Sequence, residues 1–309
     1  MESLAQVISA AKNYKGLKRK LEIGEIIQIL GESDYDDAGV LDMGDLKIVV
    51  SADGITEDLV KSDPWFAGYY SVLVNVNDVV VKGAKPMGYV DVISGSPETR
   101  RKMAEGIKTG LEKYGLKLLK GHTHPDSSYE AIDAAVVGIA KRVAKGTDAR
   151  PGDKLIMAID LEGSFGTKGW VRCFDSTLHR TRDDLQLMVS TIVAAIDNGY
   201  ISSSRDISAP GILGSLAMLC EASGVGATVD LETIPKPPMI SLSDWLISYP
   251  AMGFIFASKD VAILETLRGV GFSAEVVGNF TESKQITVSM GNEKGVFMDL
   301  ALESVFGLR

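Results

Sequence analysis

The 309-residue sequence predicts an α+β chain of two halves, and three observations carry that reading. Short β-branched runs of strand length alternate with longer apolar segments of helical length. Glycine- and proline-rich punctuation separates them, and Arg150-Pro151-Gly152-Asp153 marks the middle of the chain. The length suits two domains of about 150 residues each. Residues 1–150 are therefore read as an N-terminal domain and 151–309 as a C-terminal one.

The elements follow in order. Glu2 to Tyr14 reads as a short amphipathic helix with Leu4, Val7, Ile8 and Ala11 on one face. Ile23 to Leu30 continues apolar, and Gly31-Glu32-Ser33-Asp34-Tyr35 reads as a polar loop. Val40 to Leu46 resembles a hairpin turning at Gly44-Asp45. Phe66 to Ala84 is rich in valine, yet its length favours a helix. Helical spacing sets Ser71, Asn75, Asp78 and Lys82 on one stripe, which explains the polar residues as a line facing a site. Gly88–Ile93 is a strand, and Pro97–Tyr114 a helix with Ser96 as its cap. Leu116–Leu119 forms a strand ending in Gly121-His122-Thr123-His124-Pro125, and Ala131–Arg142 another. The result is a sheet layer with helices on one side.

In the second half, strand Lys154–Asp160 precedes a glycine-rich loop, Glu162–Gly169. Helix Asp183–Asn198, a strand starting at Asp206, helix Pro210–Ser223 and strand Ala227–Asp230 come next. Strand Gly253–Ala257, helix Lys259–Gly269 and strands Ala274–Val277 and Gln285–Ser289 complete it.

A hydrophobic share of 45% and a net charge of −9 describe a globular protein with ample core. The acidic balance argues against nucleic acid as a partner, because such binding neutralises phosphates with Lys and Arg. The basic stretch Lys12–Lys20 reads as a solvated helix end or as a mobile arm for an anionic ligand. Cys173 and Cys220 make no disulfide framework. No signal peptide and no membrane-length apolar run is visible, so a cytoplasmic protein is expected.

Carboxylates at the ends or in the middle of core elements are costly to bury and need counter-charges. Asp36, Asp37, Asp53, Asp78 and Asp206 all occupy such places. Each has a plain alternative: Asp36 as a turn cap, Asp53 opening Thr56–Val60, Asp78 paired with Lys82 on a helix surface. Together they suggest a shared hard-oxygen site suited to Mg²⁺ and, through it, to nucleotide phosphates. No P-loop and no dinucleotide fingerprint occurs, and the loop 162–169 is a weak phosphate signal. His122 and His124 share one face of an extended chain; zinc would need a third ligand, and the only other histidine is the distant His179.

Asp34-Tyr35-Asp36-Asp37-Ala38-Gly39-Val40 resembles the Gly-Asp-Asp-Ala-Ala-Val motif of thiamine-monophosphate kinase and its relatives. Those relatives include aminoimidazole-ribonucleotide (AIR) synthetase, selenophosphate synthetase and a hydrogenase-maturation dehydratase. Ser51-Ala52-Asp53-Gly54, Asn75-Val76-Asn77-Asp78 with Gly83-Ala84-Lys85-Pro86, and Gly121-His122-Thr123 are similar to later motifs in the same order. So are Pro151-Gly152-Asp153, Asp206-Ile207-Ser208 and Glu221-Ala222-Ser223-Gly224-Val225-Gly226-Ala227. Within this superfamily the chain most resembles the methanogenesis marker 2 branch.

The resemblance implies a two-domain PurM-like fold: a homodimer whose N-terminal sheets meet in an intersubunit β-barrel, and a C-terminal α/β sandwich. It implies ATP and Mg²⁺ as cofactors. Asp37, Ser51, Asp53, Asp78 and Asp206 would hold metal, and Asp36, Asn77, Gly121, His122, Thr123 and Ser208 would line the nucleotide. The implied activity is phosphoryl transfer to an oxygen of a small molecule, or its activation, set by the branch in methanogen cofactor metabolism. The alternative is a non-catalytic ATP-binding partner in a cofactor-assembly complex. His122 stands where the kinase has an aspartate and selenophosphate synthetase a histidine, Ala209-Pro210 replaces an Asp-Gly, and Tyr249–Gly253 occupies the region of the kinase's acidic substrate motif. No catalytic base is assigned.

Overall fold

The computed structural model describes residues 2–31, 36–167 and 169–308. The expected polar loop at 32–35, the start of the Asp34–Val40 motif and Lys168 lie outside them. The chain forms two compact units, one of residues 1–36, 144–162 and 199–309, the other of residues 37–143 and 163–198.

The second of these holds a five-stranded sheet, ordered Gly39–Asp42, Lys47–Gly54, Ala131–Ala140, Lys85–Ser94, Lys117–His124. Only its last pair is parallel. The hairpin turns where expected, with Gly44 at φ +87°. Helix Pro64–Val81 is buried on nearly all sides, from Ala67 to Val81. That explains its valine-rich, weakly amphipathic sequence, since a helix enclosed by protein needs no polar face. Asp63 caps it, its carboxylate accepting from Phe66 N–H at 3.2 Å, and Pro64 opens it.

Helix Pro97–Tyr114 crosses close to this buried helix. A methyl at Gly68 would stand 2.0 Å from the Met103 carbonyl oxygen, and one at Gly106 2.0 Å from that of Trp65. Backbone meets backbone there. The strand expected to stop at Leu119 runs on to His124, because its parallel ladder continues past the bulge at Tyr89–Val90. Part of the glycine-rich loop is a short ladder, with Ser164 and Phe165 paired to Asp175 and Phe174.

The other unit is built on a seven-stranded sheet, ordered Glu293–Asp299, Gln285–Met290, Gly226–Asp230, Ser273–Thr281, Lys154–Ile159, Gly253–Ser258, Ser203–Asp206. Helices Leu4–Asn13, Ile23–Leu30, Ile212–Ser223, Leu242–Leu246 and Ile263–Gly269 belong to the same unit. The basic stretch near the N-terminus forms short helical turns. Asp206 ends its strand instead of starting it. Helix Lys259–Gly269 starts late, at Ile263: Asp260 N–H donates to Ser258 Oγ and Ala262 N–H to Asp260 Oδ1, local bonds that compete with a helical turn. Among the described residues no helix is long and apolar enough to cross a membrane.

Candidate functional site

The stripe on helix Pro64–Val81 and the strand Lys47–Gly54 build the site together. Ser51 Oγ–H lies 2.6 Å from Asp78 Oδ2 and 3.2 Å from Asn75 Oδ1. The Asn75 oxygen also accepts from Asp53 N–H at 3.0 Å, while its amide donates to the Ser71 carbonyl at 2.9 Å. One asparagine thus fixes the strand against the helix and holds Ser51 toward the acid. Ser51, Asn75 and Asp78 are all buried.

The first acidic motif delivers Asp37 to the same place. Asp37 and Asp78 offer carboxylate oxygens within 4.8 Å of one another. At an effective dielectric near 20, two such charges repel by about 3 kcal/mol, more than one hydrogen bond offsets. A cation is required. Lys82 supplies one, its Nζ 3.2 Å from Asp37 Oδ2, both side chains almost fully buried. The helix-surface pairing of Lys82 is therefore corrected, since the lysine lies in the core. The donor set, two carboxylates and a hydroxyl, fits a hard divalent ion such as Mg²⁺.

Asp53 is exposed on the same face of its strand as Ser51. Asn77 is buried and stands about 200° round the helix from Asn75. In the other unit, Asp36 accepts from Gly146 N–H at 2.7 Å, and Asp206 is buried at the end of its strand, opposite Phe254. Ser208 N–H donates to Ser215 Oγ at 3.1 Å.

Gly121, His122 and Thr123 lie on the edge strand Lys117–His124. Register ties them to the acids: Asp53 pairs with Ala134, Ala134 with Asp91, and Asp91 with Gly121. One transverse rung thus runs from Asp53 to Gly121 across three strand spacings, about 14 Å. Asp91, which sequence reasoning missed, sits on that rung and is only 8% exposed. Burial pushes its carboxyl up to about 6, partly opposed by a hydrogen bond from the His122 backbone N–H. Beside it opens a groove of about 560 Å³, lined by Ile93, Ile107, Leu111, Gly121, Thr123 and Arg182 among others. A methyl at Gly121 would stand 3.2 Å from Asp91 Oδ1, so a side chain there narrows access to that carboxylate. A lone strand acid gives no signal of its own; the rung exists only after the strands pair.

His122 and His124 do share a face, their rings 4.7 Å apart, and among the described residues no third metal-ligating side chain joins them.

Comparison with known proteins splits the chain between residues 140 and 150. Residues 35–140 match the AIR synthase related protein N-terminal domain, and residues 150–291 its C-terminal domain. The chain belongs to the AIR synthase related family. An uncharacterized protein of Methanocaldococcus jannaschii is 33% identical over 99% of both chains. One from Synechocystis sp. is 29% identical, covering 95% of this chain and 90% of its own. Selenide, water dikinase of Escherichia coli is 27% identical over 68% of this chain and 62% of its own.

Among solved structures, T. maritima PurL complexed with ADP superposes with a TM-score of 0.74 at 19% identity. That match covers 89% of this chain but 46% of PurL, so the chain spans about half the length of that protein. AaThiL complexed with AMPPCP and TMP gives a TM-score of 0.68 at 18% identity, covering 89% of this chain and 95% of that one. The α+β, PurM-like fold expected from the sequence is the fold observed.

Proposed function

We propose that this AIR synthase related protein binds a magnesium nucleoside triphosphate, ATP in the first instance, and transfers its phosphoryl group to an oxygen of a small molecule. The observation that carries the reading is the convergence of Asp37, Asp78 and Ser51 in a buried pocket of hard oxygens. The likeness to selenide, water dikinase and the nucleotides bound by PurL and AaThiL support it.

In this reading Asp37, Ser51, Asp53 and Asp78 hold the ion. Bound there, magnesium supplies charge neutralisation at the phosphates. The chain's own residues position the nucleotide. Asn75 keeps Ser51 and the Asp53 backbone in place. Gly121 gives close access to the strand edge, with His122 and Thr123 as further nucleotide contacts. The groove beside Asp91 takes the base, its apolar walls covering the ring faces and the carboxyl accepting from an exocyclic amine. The exposed face of the five-stranded sheet, with Val50, Val90, Val92 and Ile139, is proposed as the seat of a homodimer. The M. jannaschii relative is compatible with a role in methanogen metabolism, while the Synechocystis relative points to a wider one.

Thermal unfolding of the full chain with ATP, with and without Mg²⁺, tests the proposal. A ligand at about 100 times its dissociation constant stabilises by about 2.7 kcal/mol, a shift of several degrees. The shift should need Mg²⁺ and vanish in Asp78→Asn. No shift with any nucleotide, or an equal one in that variant, overturns the reading.

A binding-only role is favoured by Ala209, which brings no acid to a position where the related enzymes carry one; its carbonyl oxygen packs against Gly16. ATP turnover by the isolated chain separates the two.

A further inference from the structure

Lys82 closes helix Pro64–Val81 as its C-cap residue, and its side chain is fully enclosed. A buried lysine is tolerated only against an anion. Here the anion is Asp37, 3.2 Å away and itself 3% exposed. Asp37 and Asp78 offer carboxylate oxygens within 4.8 Å of one another. The ammonium therefore neutralises Asp37 by means of the polypeptide alone. An ammonium is a compact charge on a flexible stem, which can leave a carboxylate without disturbing the helix that carries it.

We propose that Lys82 is a built-in counter-cation that controls when the acids take up a divalent ion. In the nucleotide-free protein the ammonium holds Asp37, and an ion gains that carboxylate only by displacing it. Free metal alone then binds weakly. A nucleotide triphosphate changes the balance, because its phosphates bring anionic oxygens for the displaced ammonium. Metal and nucleotide enter together, and the empty protein needs no metal to keep its acids apart. The inference rests on the reading of these acids as a magnesium site.

Titration of the full chain with Mn²⁺, followed by the electron paramagnetic resonance of the free ion, tests it, with and without AMPPCP. Lys82→Met keeps the length of the stem and removes the charge. It should bind Mn²⁺ about tenfold more tightly than the unmodified chain in the absence of nucleotide, or take up one ion more. It should also melt at a lower temperature in a chelator and recover with Mn²⁺. The double variant Asp37→Asn/Lys82→Met should lose the gain. If Lys82→Met does not fold without metal, Lys82→Gln carries the same comparison.

A folded Lys82→Met whose Mn²⁺ affinity stays within about twofold of the unmodified chain overturns the inference. So does a gain that survives in the double variant. When the unmodified chain still binds Mn²⁺ with AMPPCP through Asp78, that failure leaves the magnesium site standing. When neither chain binds Mn²⁺ with AMPPCP, the site and the inference fall together.

Discussion

Asp91 is an acid whose titration departs from that of an exposed carboxylate. Its carboxyl is raised by burial from 3.8 to about 6. A raised carboxyl favours the folded state while protonated, so its contribution is complete below the unfolded value near 3.8 and is lost as pH rises through about 6. Asp91→Asn should flatten this part of the stability profile. At pH 7 the variant should be more stable by about 1 kcal/mol, a figure reduced for the water that reaches the open groove. Denaturant unfolding at pH 4, 5, 6 and 7 measures it, and parallel profiles for both chains refute it. Residue-scale legibility divides along the same line. Asn75, Asp78 and Lys82 were readable as a stripe because helical spacing is written in one segment. Asp91 joins Asp53 and Gly121 only through the register of four strands, which no local spacing encodes.

At the scale of elements, the contact between helices Pro64–Val81 and Pro97–Tyr114 depends on Gly68 and Gly106. Gly106→Ala should destabilise the protein by about 1–3 kcal/mol despite the better helix propensity of alanine, because the new methyl meets a carbonyl oxygen. Chemical denaturation checks this, and a neutral or stabilising result would show that the helices can part at no cost. The expected helices were found where capping and period agreed, as with Ser96-Pro97 and the long valine-rich helix. Ser203–Asp206 was only half visible because serines carry no strand pattern. In the fold their hydroxyls donate to the carbonyls of Lys145 and Ala144, at 2.6 and 3.0 Å. Strand Glu293–Asp299 escaped notice because its first half is the charged, exposed edge of the sheet.

On the scale of the whole molecule, the five-stranded sheet carries helices on one face and leaves valines and isoleucine bare on the other. Val50, Val90, Val92 and Ile139 are 37–42% exposed there. Such a face is covered in a second copy if the proposed homodimer forms. Sedimentation of the unmodified chain should give a dimer, and Val92→Glu a monomer with an unchanged far-ultraviolet spectrum. A monomeric unmodified chain at micromolar concentration would refute the assignment. The ordered motifs that made the family legible also bind the two units into one functional expectation. What they could not convey is Lys82, whose charge is silent until Asp37 is brought beside it.

The rung from Asp53 through Ala134 and Asp91 to Gly121 has one more consequence. It crosses the central strand at Ala134, so that strand works as a gauge for the ligand line. Inserting a single residue ahead of Ala134 would turn Asp133 inward and reverse every side chain beyond it. The same insertion in the turn at Gly44 would alter nothing along the line. Natural length variation should therefore crowd into the hairpin tips and spare Ala131–Ala140.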